Sequence, residues 1–383
     1  MSPSSTSRLV ARAPGDTPPP ARPTAVVYCE GNFGLTDGKT ANGLVRHSER
    51  FRIVAVIDST HAGADAGQVL GDGPNGIPVV AGLDAVPGAS GGRPDWFVFG
   101  MAPSSGLLSA DQRAVVLRAM SLGMSVVNGL HEFLNDDPEF AAAAILGGVE
   151  ILDVRRPADK KDLHMFSGSI DSVTCPRIAV LGTDGAIGKR TTSTVLAAAL
   201  ESAGLRTVLV GTGQTSLIQG ARYGAALDAV PAQFCAGEVE HAVVDAFERE
   251  RPDVMVIEGQ GALSHPAYLT SAYILRGSRP QAVILQHAPR RAWLSDFPTV
   301  PAPTAASEIH LIQTFADTAV IGVTLNHEHM SSDEVDAAIG AYGAELGIPV
   351  TDALLRPPSE LVDMVLAAFP ALEANLGQQI AFR

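Results

Sequence analysis

Short apolar runs, each followed by a polar turn and a helical stretch, recur along most of this chain. In the first part they are Ala25–Tyr28, Arg52–Ile57, Pro78–Val80, Trp96–Phe99 and Ser125–Val127. Their apolar residues do not alternate with polar ones, so they read as strands buried on both faces. Helices are predicted from about Thr40 to His47, over Asp111–Leu122 and over Glu139–Leu146. Asn135-Asp136-Asp137-Pro138 breaks one helix and starts the last of these. A short helix is also expected at Glu132–Leu134, and Ile151–Val154 reads as another strand.

The alternation resumes after the polar stretch Arg155–Asp162, which reads as a linker. Strands are predicted at Ile178–Leu181, Thr207–Val210, Asp253–Ile257, Ala282–Leu285, Val320–Leu325 and Pro349-Val350. Amphipathic helices fit Glu238–Glu250 and Glu334–Leu346, and Ser359–Leu376 is mostly helical. Strands alternating with helices specify parallel sheets, so the fold class is α/β. A chain of 383 residues should hold about two such domains. The expected division is a tail at 1–23, a Rossmann-like parallel-sheet domain with its linker at 24–173, and a P-loop parallel-sheet domain at 174–383.

Composition narrows the classes. A formal net charge of −14 argues against a nucleic-acid partner, because no broad basic face is available to phosphate backbones. No apolar run reaches the ~18 residues of a membrane span. The first 23 residues are rich in Ser, Pro and Arg without an apolar core segment, and read as a disordered tail rather than a signal peptide. The three cysteines, Cys29, Cys175 and Cys235, are too few and too far apart for a disulfide framework or a zinc cluster. The expectation is a soluble, cytoplasmic homo-oligomer acting on small molecules.

The strongest chemical signal is Arg177–Leu200, where a buried strand runs into a glycine-rich loop, a lysine and a helix. Gly182, Thr183, Asp184, Gly185 and Gly188 let backbone N–H groups turn toward an anion, and Lys189 with the helix amino terminus adds positive charge. Arg190 stands where a Mg²⁺-binding Ser or Thr usually follows the lysine, with Thr191 and Thr192 next. Phosphate binding follows from this loop; phosphate hydrolysis does not. Glu258, ending a strand in Glu258-Gly259-Gln260-Gly261, occupies the place of an acid that reaches a metal or its water. Gln286-His287-Ala288-Pro289-Arg290-Arg291 combines a proton acceptor with two guanidinium forks at a strand end. Gly211-Thr212-Gly213-Gln214-Thr215 leads into a glycine-rich segment centred on Arg222 and Tyr223, which reads as a functional loop with a short helix. Asn326, at the end of a late strand, is placed to read a nucleobase. In the first domain, Asp58 closes the second strand where a dinucleotide fold holds a ribose, but EGNFG lacks the fingerprint glycines. His131 leaves a strand at its carboxyl end and is either a ligand contact or a helix cap.

The segments EGNFG, DDP, GTDGAIGKRTT, GTGQT, QGARYG, EGQGALSHP, LQHAPRR and GVTLN together resemble the P-loop family that includes the DgcN-type D-glutamate N-acetyltransferases. The resemblance runs over nearly the whole chain from Ala25. It implies a Rossmann-like domain followed by a P-loop domain, and transfer of acetyl from acetyl-CoA to the amine of a D-amino acid. GTDGAIGK and EGQG are also similar to dethiobiotin synthetase, an ATP-dependent ligase with a Thr after its lysine. Under the acetyltransferase reading, Lys189, Arg190 and the loop hold the phosphates of CoA, and His287 or Glu258 deprotonates the amine. Arg222, Arg290 and Arg291 clamp the acceptor's carboxylates, with Gln214, Thr215 and Gln260 nearby, and backbone N–H groups near Gly213 or Gly261 stabilise the oxyanion. Under the ligase or kinase reading, Thr191 or Thr192 and Glu258 hold Mg²⁺ and ATP. A nucleotide-binding regulator without chemistry is the third possibility.

Overall fold

The computed structural model describes residues 22–381 apart from Ser104. The expected tail therefore falls almost wholly outside the described residues. The first half contains strands β1 (Thr24–Tyr28), β2 (Arg52–Ile57), β3 (Val79–Val80), β4 (Trp96–Phe99), β5 (Ser125–Asn128) and β6 (Ile151–Asp153). Its helices are α1 (Lys39–Arg46), α2 (Ala66–Val69), α3 (Val86–Ser90), α4 (Ala110–Ser121) and α5 (Pro138–Gly147). All six strands pair in parallel in the order β3-β2-β1-β4-β5-β6. That is the strand order of a doubly wound dinucleotide-type sheet, with its topological switch point between β1 and β4.

The second half holds β7 (Arg177–Gly182), β8 (Thr207–Gly211), β9 (Tyr223–Gly224), β10 (Val254–Glu258), β11 (Ala282–His287), β12 (Trp293–Leu294), β13 (Phe297–Pro301), β14 (Ala319–Leu325) and β15 (Val350–Thr351). The helices are α6 (Lys189–Ser202), α7 (Gln214–Gln219), α8 (Ala232–Glu250), α9 (Thr270–Ser278), α10 (Ala305–Phe315), α11 (Ser332–Leu346), α12 (Ser359–Ala368) and α13 (Pro370–Ala381). Seven strands form a parallel sheet, β15-β14-β11-β7-β10-β8-β9, while β12 and β13 make a separate antiparallel hairpin. Every residue of β7, β10 and β11 is buried. Period-two alternation divides them: Ile178, Val180, Val256 and Ile284 face Leu196 of α6 and Leu361 of α12. Ala179, Leu181, Ile257 and Leu285 face Val239 of α8, Ile274 of α9 and Ile312 of α10. Helices cover both faces, which is why these strands carry continuous apolar runs.

Several expectations change. The helix at Glu132–Leu134 is instead a 3-10 turn at Leu134–Asp136, because Asp153 receives the Leu134 and Asn135 N–H groups and holds the chain off the helical path. The hairpin β12–β13 and helices α9 and α10 were not anticipated. The linker is not slack: Arg155 is buried and donates to Asp228 at 3.0 and 2.7 Å and to the Gly129 carbonyl. Asp58 is no ribose ligand. It is fully buried and accepts the N–H groups of Gly31 (3.1 Å), Phe33 (3.1 Å) and Thr60 (2.9 Å), so it closes the EGNFG turn on itself. Among the described residues no helix is long and apolar enough to cross a membrane.

The carboxyl end of the first sheet meets α7. Thr40 and Thr215 share a hydroxyl bond of 3.0 Å, and Gln219 donates to the carbonyls of Gly43 (2.7 Å) and His47 (2.9 Å). The Gln219 carbonyl in turn accepts from the N–H groups of Glu49 and Arg50. Gly129 lies against Gln214 and Ile218, and a Cβ there would stand 3.3 Å from Ile218 Cδ1.

Candidate functional site

The site is built around the loop between β7 and α6. Gly188 has φ +101° and Ala186, a non-glycine, has φ +48°, so the backbone turns sharply before the helix starts. Lys189 is buried, and its ammonium donates to the Asp184 carbonyl within the loop. Burial is the largest influence on this amine and lowers its pKa to about 7, against the pull of Asp184 and with Lys39 and Arg291 adding to the depression. A poorly solvated ammonium at a helix amino terminus is an arrangement that favours an anion.

The loop is braced from β11 and β14. Asp184 is 1% exposed, and its carboxylate accepts from Gly185 N–H (2.7 Å), Ser295 N–H (2.9 Å) and Arg291 Nη1 (2.9 Å). Asn326 donates to the Ile187 carbonyl at 3.0 Å, so the structure uses this amide to hold the loop rather than leaving it free for a base. Thr192 donates its hydroxyl to Gln286 Oε1 at 2.5 Å, and Thr191 is half-buried at the first turn of α6.

Arg190 goes elsewhere. Its Nε donates to Gln219 Oε1 at 2.6 Å, toward the joint with the first domain, and Nη1 is buried without a protein partner. It lines a cleft of about 130 Å³ behind α6 together with His47, Glu49, Glu201, Arg222 and Tyr223. Gln219 is thus a specific partner for the guanidinium that the sequence reading set beside Lys189 on one anion.

The arginine clamp also dissolves. Arg222 pairs with Glu250 at 2.7 Å beside β9, and Arg290 pairs with Glu334 at the start of α11. Arg291 binds Glu328 through two 2.9 Å bonds while bracing Asp184 and the Gly185 carbonyl (2.8 Å). Strands β7, β10 and β8 lie between β11 and β9. Four strand spacings, roughly 19 Å, thus separate Arg222 from the other two. Each guanidinium already has a carboxylate, and the three do not converge.

His287 is a structural residue in this geometry. Its Nδ1 shares a 3.0 Å bond with the Thr183 hydroxyl and its Nε2 a 2.9 Å bond with the Tyr342 hydroxyl, leaving no nitrogen for a substrate proton. Burial lowers its pKa to about 4. Glu258 is buried beside the loop, and one oxygen accepts Thr212 N–H at 3.0 Å. Gln260 donates to the Thr212 hydroxyl at 3.0 Å, which sets the turn after β10 against the turn after β8. Gln214 and Thr215 belong to the joint between domains, where Thr215's hydroxyl is taken by Thr40.

Two residues not anticipated from the sequence lie near the loop's charged groups. Lys39, the first residue of α1, is solvent-accessible but lies among enough protein for burial to lower its pKa. Arg155 lowers it further, while Asp296, Asp228 and Asp37 oppose this. The charge of Lys39 is among those that lower the pKa of Lys189. His265, in the loop after β10, is 4% exposed and its Nε2 is buried without a partner. An unpaired buried donor costs about 1–3 kcal/mol. Nothing in its spacing marks it: a single histidine in a Ser/Pro turn becomes visible only when its bonds are known.

Residues 164–362 match the P-loop domain of DUF1611, a domain of unknown function, and residues 59–157 match the Rossmann-like amino-terminal domain of the same family. The chain belongs to this family. A crystallised DUF1611 family protein from Anabaena variabilis is 34% identical, with a TM-score of 0.82 over 90% of this chain and 100% of that one. The D-glutamate N-acetyltransferase of Tritonibacter scottomollicae is 30% identical over 280 residues, covering 70% of this chain and 80% of that protein. The D-glutamate N-acetyltransferase of a Pseudoalteromonas species is 30% identical over 265 residues, covering 67% and 77%.

Proposed function

We propose that this protein transfers an acetyl group from acetyl-CoA to the amine of a small acidic amino acid, with D-glutamate as the acceptor. The observation that carries the reading is the loop before α6. It offers a buried lysine and a helix amino terminus to phosphate, while Arg190 replaces the metal-binding hydroxyl and Thr192 donates its own to Gln286. Such a loop suits a phosphate-bearing carrier better than Mg-ATP. The names of the two curated relatives support the same chemistry.

The residues present fit CoA. Lys189 and the N–H groups of Ala186–Gly188 would hold its phosphates; bound acetyl-CoA supplies a thioester-activated acetyl group. The acceptor amine must lose a proton before it attacks, and Glu258 is the remaining base of the two candidates because His287 has both nitrogens committed. Lys39 gives the acceptor's carboxylate a positive partner from the first domain.

The test compares thermal shifts with acetyl-CoA, CoA and Mg-ATP, followed by acetylation assays on D-Glu, L-Glu, D-Gln and D-Ala. The expected result is greater stabilisation by acetyl-CoA than by Mg-ATP, with N-acetyl-D-glutamate as product. Consumption of Mg-ATP in the presence of a carboxylic acid would replace this reading with the ligase one. Nucleotide binding without any turnover would replace it with the regulator.

A further inference from the structure

His265 holds its ring in one tautomer and one orientation. Its Nδ1 accepts the N–H groups of Ala267 and Tyr268, both at 3.2 Å, so the ring proton sits on Nε2. The ring stacks on Tyr268 with centroids 4.4 Å apart and planes 15° apart, and Phe297 of β13 leans against it at 5.7 Å. Its loop is pinned in turn. Glu308 accepts from the Ser264 hydroxyl (2.6 Å) and from the Leu263 and Ser264 N–H groups, and Ser271 donates to the Gly261 carbonyl at 2.6 Å. The charged groups around the ring are Asp184 and Lys189 of the phosphate loop and Asp296 of the hairpin; burial is the main influence, lowering its pKa and keeping the ring neutral.

Neither nearby carboxylate takes the Nε2 proton. Asp184 is committed to Gly185, Ser295 and Arg291, and Asp296 to the Tyr268 hydroxyl at 3.0 Å. A histidine serving only as a loop cap accounts for Nδ1. It gives no reason for a fixed, buried N–H on the opposite side.

We infer that His265 Nε2–H is a ligand-binding donor that takes an anionic oxygen on the P-loop face, either a phosphate oxygen of the carrier or a carboxylate oxygen of the acceptor. This rests on the proposed acyl-transfer reading for the identity of the two ligands. It does not rest on it for the existence of the donor, which the bonds around the ring define.

The test uses the full-length protein and its His265→Asn and His265→Gln variants. Asn keeps an acceptor in reach of the Ala267 and Tyr268 N–H groups but has no donor at the Nε2 position; Gln restores an amide N–H near that position. Calorimetric titration with CoA, with D-glutamate and with inorganic phosphate separates the sources. The expected result is a loss of about 10- to 100-fold in affinity for one class in His265→Asn, with its melting temperature close to the parent's and partial recovery in His265→Gln. Weakened CoA and phosphate binding assigns the phosphate; weakened D-glutamate binding assigns the carboxylate. In the parent, labelled at histidine nitrogen, the Nε2–H resonance should move downfield on saturation, a readout that needs no variant to fold. Unchanged affinities with an unmoved resonance would overturn the inference while leaving acyl transfer in place. A parent that binds none of the three probes would overturn both.

Discussion

Ligand capture at the P-loop should be coupled to proton uptake by Lys189. Burial holds this amine at a pKa of about 7 in the free protein. At pH 8 it is then only about one-tenth charged. Phosphate oxygens against the ammonium favour the charged form and should restore a pKa near the usual value for lysine, about 10. Binding at pH 8 should therefore draw in roughly 0.9 proton, and at pH 6, where the amine is already charged, only about 0.1. Calorimetric titration of CoA in buffers with different ionisation enthalpies measures this number as the slope of apparent enthalpy against buffer enthalpy. Lys189→Met, which cannot titrate, should bind more weakly and give a slope near zero. A slope near zero for the parent at pH 8, or equal slopes for parent and variant, would refute the placement of the anion against Lys189.

Arg190→Lys should leave CoA affinity within about twofold and lower stability by about 1–2 kcal/mol, measured by calorimetry and urea unfolding, because it loses a bond to Gln219 rather than to an anion. Arg291→Ala should cost about 2–3 kcal/mol and weaken CoA binding, since it frees Asp184 inside the loop, whereas Arg222→Ala should change stability by under about 1 kcal/mol and leave binding intact. His287 should respond to acid. The unfolded chain protonates this imidazole near its ordinary 6.5 and the folded chain only near 4, so its contribution is complete above 6.5 and lost as pH falls toward 4. The stability advantage of the parent over His287→Asn should shrink by about 3 kcal/mol between pH 7 and pH 4.

The strands were legible because burial on both faces leaves no room for polar residues, so β7, β10 and β11 show as unbroken apolar runs. The loop before α6 was legible from its context of strand, glycines, lysine and helix, although five residues rather than the usual four separate Gly182 from Gly188. Partners were not. Nothing next to Arg291 in sequence announces that Asp184 and Glu328 will meet it, nor that Gln219 will meet Arg190. Adjacency to a strand end placed all three clamp arginines on one sheet edge, but the strand order set Arg222 apart from the others. The hairpin β12–β13 escaped notice because Phe297-Pro298-Thr299-Val300-Pro301 carries two prolines, which demote a run from strand to loop unless it lies in an edge pair. His265 was invisible for a different reason: its meaning lies in one unpaired atom, and composition does not show that.

The joint at α7 bears on how the chain can be taken apart. Its bonds tie residues far apart in sequence, Thr40 with Thr215, Arg50 with Gln219 and Arg155 with Asp228, and none depends on the continuity of the exposed backbone at Ala158–Asp162. A single protease nick in that segment should leave two fragments that travel as one species on a sizing column and separate only in denaturant. By the same logic the polypeptide should tolerate being encoded as two pieces broken there, with the two sheets brought together by reassembly rather than by a covalent tether.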